Sequence, residues 1–374
     1  MKIAIDISRA LEMQKTGIPM YQASLFESLL TVQSTHMYVP LYYGKDANQV
    51  KQYMGKDILS LQNPFLNNRL ILKNSADRLI GGALKTAGID LIHGTAHFTV
   101  NGFEDRTVLT IHDLIYLRDP DYYNKRFVDL LLNLAGKVRK IIAVSRTTKL
   151  EILDQFPFLP ESKVEVVYEG VRSDCVRIKD DLVLKDFKNR FFGDENFKYI
   201  LYVGSFTKRK NIINIIKAYA QFRKKHHADC KLVLVGKPAD IYQEAIALIG
   251  SLGLKDSIII KGYVEDSNLS ALYSGAEVFI FPSYYEGFGL PVIEAMQCGC
   301  PCIISNVSSL KELFTGAALA VDPHSVAEIA GAIEKFLRDP MLRNKYRELG
   351  FSKAKEFNWK KTAEDTQKVY ESVY

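Results

Sequence analysis

Two carboxylates, Glu286 and Glu294, bracket the stretch EGFGLPVIE and are separated by seven residues. Val278 to Phe281, just ahead of it, is continuously apolar and reads as a buried parallel strand. Gly287 and Gly289 free the backbone to turn and to approach a ligand closely. Pro291 suits a helix start, whose first N–H groups then point back into the loop and attract anions. The amides of Gly287, Phe288, Gly289 and Leu290 are therefore candidate donors beside the two glutamates. Glu294 is expected in the first turn of that helix, where it would accept hydrogen bonds from the vicinal hydroxyls of a ribose. A glutamate that merely complements the helix dipole is the plainer alternative.

The same grammar recurs in YVGSFTKRKNI, residues 202–212. Gly204 ends a strand, and Arg209 and Lys210 precede a helical pattern, where a guanidinium fork and a compact ammonium could grip a diphosphate. A solvated basic turn would look alike. The second loop of this kind at 283–291 favours the grip, because both loops would leave one sheet by the same edge. Backbone near Tyr263 and Val264 is a candidate nucleobase slot, with Asp266 or Ser267 capping the helix behind it. In the first half, Gly17 offers another backbone approach to an anion, and His112 in TIHDL ends an apolar strand where it could orient a hydroxyl.

Parallel sheets must hold these loops. Apolar runs alternate with helical patterns throughout: KIAID, MYVPLYY, DLIHG, RTVLTIHD, KIIAVS and KVEVVYEG, then YILYVGS, KLVLVG, SIIIKGY, VFIFPS, PCIIS and ALAVD. This alternation predicts an α/β protein of two doubly wound, Rossmann-like domains facing a cleft. The domains are expected at 1–176 and 195–358, with a charged linker over 177–197 and a final helix, 359–374, packing back on the first.

Composition removes other classes. An apolar fraction of 47% and a charged fraction of 25% fit an ordinary globular protein, and no apolar run is long enough to span a bilayer. The first residues lack a signal peptide's apolar core, so the expected location is cytoplasmic. Five cysteines are expected as free thiols; Cys298, Cys300 and Cys302 would share one face of an extended segment, without a second ligand cluster for a metal. The net charge of +6 is spread along the chain, and nothing interleaves basic with aromatic residues as a nucleic-acid binder would. The basic segment 51–88 reads as a solvated helix face or as a peripheral contact with the inner face of a membrane. DPD at 119–121 reads as a turn rather than a metal chelator, and the nucleophile-elbow, Walker and zincin motifs are missing.

Taken together, TGIPMY, TIHDL, AVSRTTKLEIL, VVYEGV, YVGSFTKRKNI, GYVEDSNLSALYSGAEVFIFPSYYEGFGLPVIEAM and GCPCIISNVSSLKEL resemble the family-four, group 1 retaining glycosyltransferases of the GT-B fold. The resemblance covers nearly the whole chain, and its most specific part is the pair Glu286 and Glu294. It implies a nucleotide-sugar donor held by the C-terminal domain and a glycan or lipid-linked glycan acceptor. Glu294 would hold the ribose, Arg209 and Lys210 the diphosphate, and Glu286 the transferred sugar, with Gly17 and His112 completing the site. Many members carry Arg directly after the glycine where this chain has Ser205, so Arg209 takes that role by implication. The family works without cofactor or divalent metal. The wording resembles mannosyltransferase-like members, so GDP-mannose is the first expected donor and UDP-sugars the next. A nucleotide-sugar epimerase of the same fold, or a catalytically silent binding subunit, are the competing expectations.

Overall fold

The computed structural model describes residues 1–10, 12, 17–42, 82, 84–96, 99–100, 102–118, 121–194, 196–226 and 230–373. Most of the basic segment 51–88 lies outside them, as do Asp119 and Pro120 of the DPD string. The chain forms two compact units, Met1–Gly170 with Trp359–Tyr374, and Val171–Asn358.

The first unit holds β1 (Lys2–Asp6), β2 (Met37–Leu41), β3 (Leu91–Gly94), β4 (Thr107–Ile111), β5 (Lys140–Ala143) and β6 (Val164–Val166). They form one parallel sheet in the order β2-β1-β3-β4-β5-β6. β3 and β4 are buried along their whole length, so neither shows the in-and-out alternation of a strand with one wet face. The helix Ile18–Thr31 begins at Gly17, whose φ of 58° most side chains avoid. Ser145 accepts a hydrogen bond from the Thr148 amide and so starts the helix Arg146–Gln155.

The last helix, Trp359–Glu371, buries Trp359, Ala363 and Tyr370 in a cluster with Tyr21, Phe26 and Leu29. Thr362 donates to the Tyr168 carbonyl at 2.8 Å, and Gln367 donates to the Tyr38 hydroxyl at 2.8 Å. Its hydrophobic face thus finds its partners in the first unit.

The second unit holds β7 (Lys198–Val203), β8 (Cys230–Val235), β9 (Ile258–Lys261), β10 (Val278–Phe281), β11 (Cys302–Ser305) and β12 (Leu319–Val321). Again all are parallel, in the order β12-β11-β10-β7-β8-β9. The expected linker 177–197 is instead largely a helix, Asp181–Phe192, and the change of unit comes earlier, after Gly170. Its charged positions are the solvent side of a helix anchored by buried Phe187 and ended by Gly193 in the left-handed region.

Each sheet reverses its strand order once, between β1 and β3 and between β7 and β10. Ligands of open α/β sheets settle at the carboxyl ends of strands beside such a reversal. In the second unit that point lies between the loops after β7 and β10, the two loops singled out by their residues.

Candidate active site

Arg209 and Lys210 meet Glu286 at the switch point of the second sheet. Arg209 Nη1 lies 2.8 Å from Glu286 Oε2, and Lys210 Nζ lies 2.7 Å from Oε1. Lys210 and Glu286 are buried, and the lysine ammonium also sits 4.6 Å from the centre of the Phe281 ring. Burial pushes the Glu286 carboxyl up, but Arg209 and Lys210 outweigh it and hold the group below its ordinary value. Two cations against one carboxylate leave a net positive charge at these loops.

Backbone contacts hold this triplet in place. Arg209 Nη1 donates to the Tyr285 carbonyl at 2.8 Å, and the Tyr284 amide donates to the Arg209 carbonyl at 2.9 Å. Asn211, in the left-handed region at φ 62°, donates to the Pro282 and Pro323 carbonyls at 2.9 and 2.7 Å. Ser309 donates to the Glu286 carbonyl at 2.8 Å, and the Ser308 hydroxyl accepts from the Glu286 amide at 3.2 Å. Gly204 has no room for a side chain, since a Cβ there would lie 2.6 Å from the Tyr202 hydroxyl. Gly289 precedes the helix Leu290–Gln297 at φ 108°, and no side chain caps that helix start. Gly287, Phe288 and Leu290 share that loop; the Phe288 ring turns into the core against Phe357, at 5.6 Å between centres.

Glu294 falls one turn later than expected, in the second turn of that helix. It is buried and accepts a hydrogen bond from the Tyr273 hydroxyl at 2.9 Å. Arg172, also buried, acts on it through its charge and is clamped by Asp174 at 2.6 Å and Asp266 at 2.8 Å. Asp266 is therefore spent on an ion pair, and Glu265 holds the cap position of the helix Asp266–Ser274. Val264 is buried just before that helix. Burial raises the Glu294 carboxyl from 4.5 to about 7, with Arg172 and Tyr273 opposing the rise.

That shift has a measurable sign. The folded protein keeps a proton that the unfolded chain releases near 4.5, so this group's stabilisation is complete below that pH and is lost as pH rises through 7. The full loss is on the order of 3 kcal/mol. Glu294→Gln cannot lose a proton, so its melting temperature should fall less between pH 5 and pH 8 than the parent's. Equal falls would show that Glu294 does not titrate there.

In the first unit, His112 follows β4 with both ring nitrogens engaged. Nδ1 lies 2.9 Å from Glu169 Oε1 and Nε2 lies 2.9 Å from the Thr95 carbonyl. Both partners accept, so the arrangement suits the doubly protonated ring. Burial pulls His112 down, but Glu169 more than compensates and the net shift is upward. In this arrangement His112 presents positive charge rather than a lone pair. The Tyr21 ring meets it edge-on at 4.6 Å, and Tyr21, Thr110, His93 and Tyr370 continue the polar chain inward. Gly17 begins the helix that carries Tyr21.

The five cysteines are free and buried. Cys298 ends a helix and Cys302 opens β11, so they do not share one extended face as expected. Among the described residues, no group of three His, Cys, Asp or Glu side chains converges as metal ligands would. Nor is any helix among them long and apolar enough to cross a membrane.

Residues 185–353 match the family model described as glycosyl transferases group 1, and residues 35–174 match that of glycosyltransferase family 4. The chain belongs to the group 1, family 4 glycosyltransferases. Within that family it is 29% identical to O-antigen chain mannosyltransferase B of Escherichia coli, over 95% of this chain and 96% of that one. It is also 29% identical to the serotype-specific mannosyltransferase WbdA of Escherichia coli over 69% of this chain, spanning 32% of that longer protein. Among solved structures, Anabaena HepE in complex with UDP-glucose superposes with a TM-score of 0.78 at 16% identity, covering 100% of both chains. The fold is that of the GT-B glycosyltransferases.

Around the candidate residues of each unit lie groups that sequence reasoning missed. Arg172, Tyr273, Glu169 and Asn211 each act through a partner far along the chain, and Glu169 reaches His112 across 57 residues. Only Asn211 had a local signal, since Asn tolerates the left-handed region better than most residues.

Proposed function

We propose that this glycosyltransferase moves a hexose from a nucleotide-sugar donor to a glycan or lipid-linked glycan acceptor in surface polysaccharide synthesis. Mannose from GDP-mannose is the first choice and UDP-sugars the next, with retention of anomeric configuration and no metal. The observation that carries the reading is the Arg209–Lys210–Glu286 triplet at the switch point of the second sheet. The mannosyltransferase names of its relatives support the sugar and the pathway class.

The chemistry follows from where charge appears. As the bond from the sugar's anomeric carbon to the phosphate oxygen breaks, its electron pair stays on the departing diphosphate. Arg209 and Lys210 stabilise that charge, and the helix start at Leu290 adds N–H groups. Positive charge spreads over the sugar ring, where the Glu286 carboxylate can balance it. The acceptor hydroxyl bonds to the anomeric carbon on the face the phosphate leaves, and its proton passes to a phosphate oxygen. Glu294 accepts hydrogen bonds from the donor ribose.

A thermal-shift panel of GDP, UDP and ADP sugars should single out the donor, because a ligand bound only by the folded state raises its melting temperature. Labelled transfer to lipid-linked glycan primers then separates an enzyme from a silent binder, which would bind and not transfer. Transfer should persist in excess chelator. Loss that a divalent metal restores would overturn the metal-free mechanism.

A further inference from the structure

Four buried tyrosines of the second unit use their hydroxyls differently. Tyr199 donates to the Leu272 carbonyl, Tyr202 to that of Ser205 and Tyr219 to that of Cys230, all at 2.7–3.1 Å. These are structural bonds. Tyr273 instead donates to a side chain, Glu294 Oε2, at 2.9 Å. Its ring is fully buried and wedged edge-on against Phe279 at 5.5 Å, so the hydroxyl has little freedom to turn elsewhere. Phe279 lies in β10, the strand that leads into the Glu286 loop.

We infer that Tyr273 is a positioning residue for donor binding, fixing the Glu294 carboxylate so that its remaining lone pairs face the ribose hydroxyls. The inference rests on the donor reading above. Ribose hydroxyls need an acceptor, and an ionised carboxylate offers lone pairs on both oxygens. With Oε2 tied to Tyr273, the plane of the carboxylate is set and Oε1 is presented in one orientation. The charged groups facing Glu294 are Arg172, Asp266 and Asp174, with the Cys175 thiol nearby. Arg172 favours the ionised form and the two aspartates oppose it, while the aspartates in turn hold Arg172 in place. Removing the tyrosine hydroxyl withdraws a hydrogen bond that only the ionised acceptor uses fully.

The test is nucleotide affinity by calorimetry from pH 6 to pH 9, with GDP, UDP and their 2′-deoxy forms as probes. In the parent, affinity should fall as pH drops and Glu294 takes up a proton; a flat profile overturns the inference. Tyr273→Phe keeps the ring and should move that fall upward by about one pH unit. Near pH 6.5 it should weaken the ribonucleotide roughly tenfold, with convergence toward the parent at pH 9. The 2′-deoxy probe should feel the change less. In a Glu294→Gln background, Tyr273→Phe should cause no further loss, as expected of residues acting through one interaction. The same loss at every pH, or in both backgrounds, would mean that Tyr273 only packs. Wild-type affinity in Glu294→Gln, or a parent that binds neither ribonucleotide, would remove the donor reading itself. Weakened binding in Glu294→Gln with an inert Tyr273→Phe would remove only the present inference.

Discussion

Glu286→Gln is expected to lower kcat by about two to three orders of magnitude while free nucleoside diphosphate binds at least as tightly as before. The two halves of that outcome come from one contact. The Glu286 carboxylate neutralises part of Arg209 and Lys210, at 2.8 and 2.7 Å. A diphosphate must compete with it for those cations. Gln keeps the size and an acceptor oxygen but withdraws the charge, so the cations turn more fully to the nucleotide. The transferred sugar gains positive charge only as its bond breaks, and the lost carboxylate is missed at that moment. An effect confined to the transition state lowers kcat and kcat/KM together. Steady-state kinetics combined with nucleotide titration decides the matter. A variant with normal turnover, or one whose defect is wholly in nucleotide binding, would leave Glu286 without a catalytic part.

Lys210→Ala should be nearly as damaging, by a different route. Losing a preorganised donor at a developing oxyanion costs about 2–4 kcal/mol of transition-state stabilisation. Lys210 is buried, so its removal also leaves Glu286 with one partner fewer and should lower stability to denaturant. Arg209→Ala removes the other cation together with the hydrogen bond to the Tyr285 carbonyl, which positions the loop carrying Glu286. Arg209→Lys restores a charge but not that fork, so it should recover only part of the rate. Turnover at the parent's level in either alanine variant would remove the pair from the chemistry.

The fold was legible because parallel strands covered on both faces are apolar without interruption. VFIF announces β10 for that reason, and the glycines after the strands of the second unit announce the turns. The meeting of Arg209 and Lys210 with Glu286 could be anticipated too, because these residues sit in short loops after two strands of one sheet. What stayed hidden depends on distance along the chain. The ion pairs of Arg172 with Asp266, and of His112 with Glu169, join loops that only the sheet order brings together. A charged linker and a half-exposed helix have the same composition, so 177–197 could not be told from a helix without its single buried anchor, Phe187. The place of Glu294 was misjudged by one turn because a helix start without a capping side chain leaves no polar signature at its boundary.

The return of Trp359–Glu371 to the first unit imposes an order on biosynthesis. A chain emerging from its N-terminus can complete Val171–Asn358 as soon as that stretch is free, since it draws on no later residues. The first unit cannot. Its Tyr21 and Phe26 surface stays uncovered, and His93 lacks its Tyr370 partner, 277 residues further along, until the final helix arrives. During that interval the nascent first unit exposes apolar surface that invites chaperones or misassembly. The second unit can be folded, with its triplet of Arg209, Lys210 and Glu286 in place, before the first is sealed.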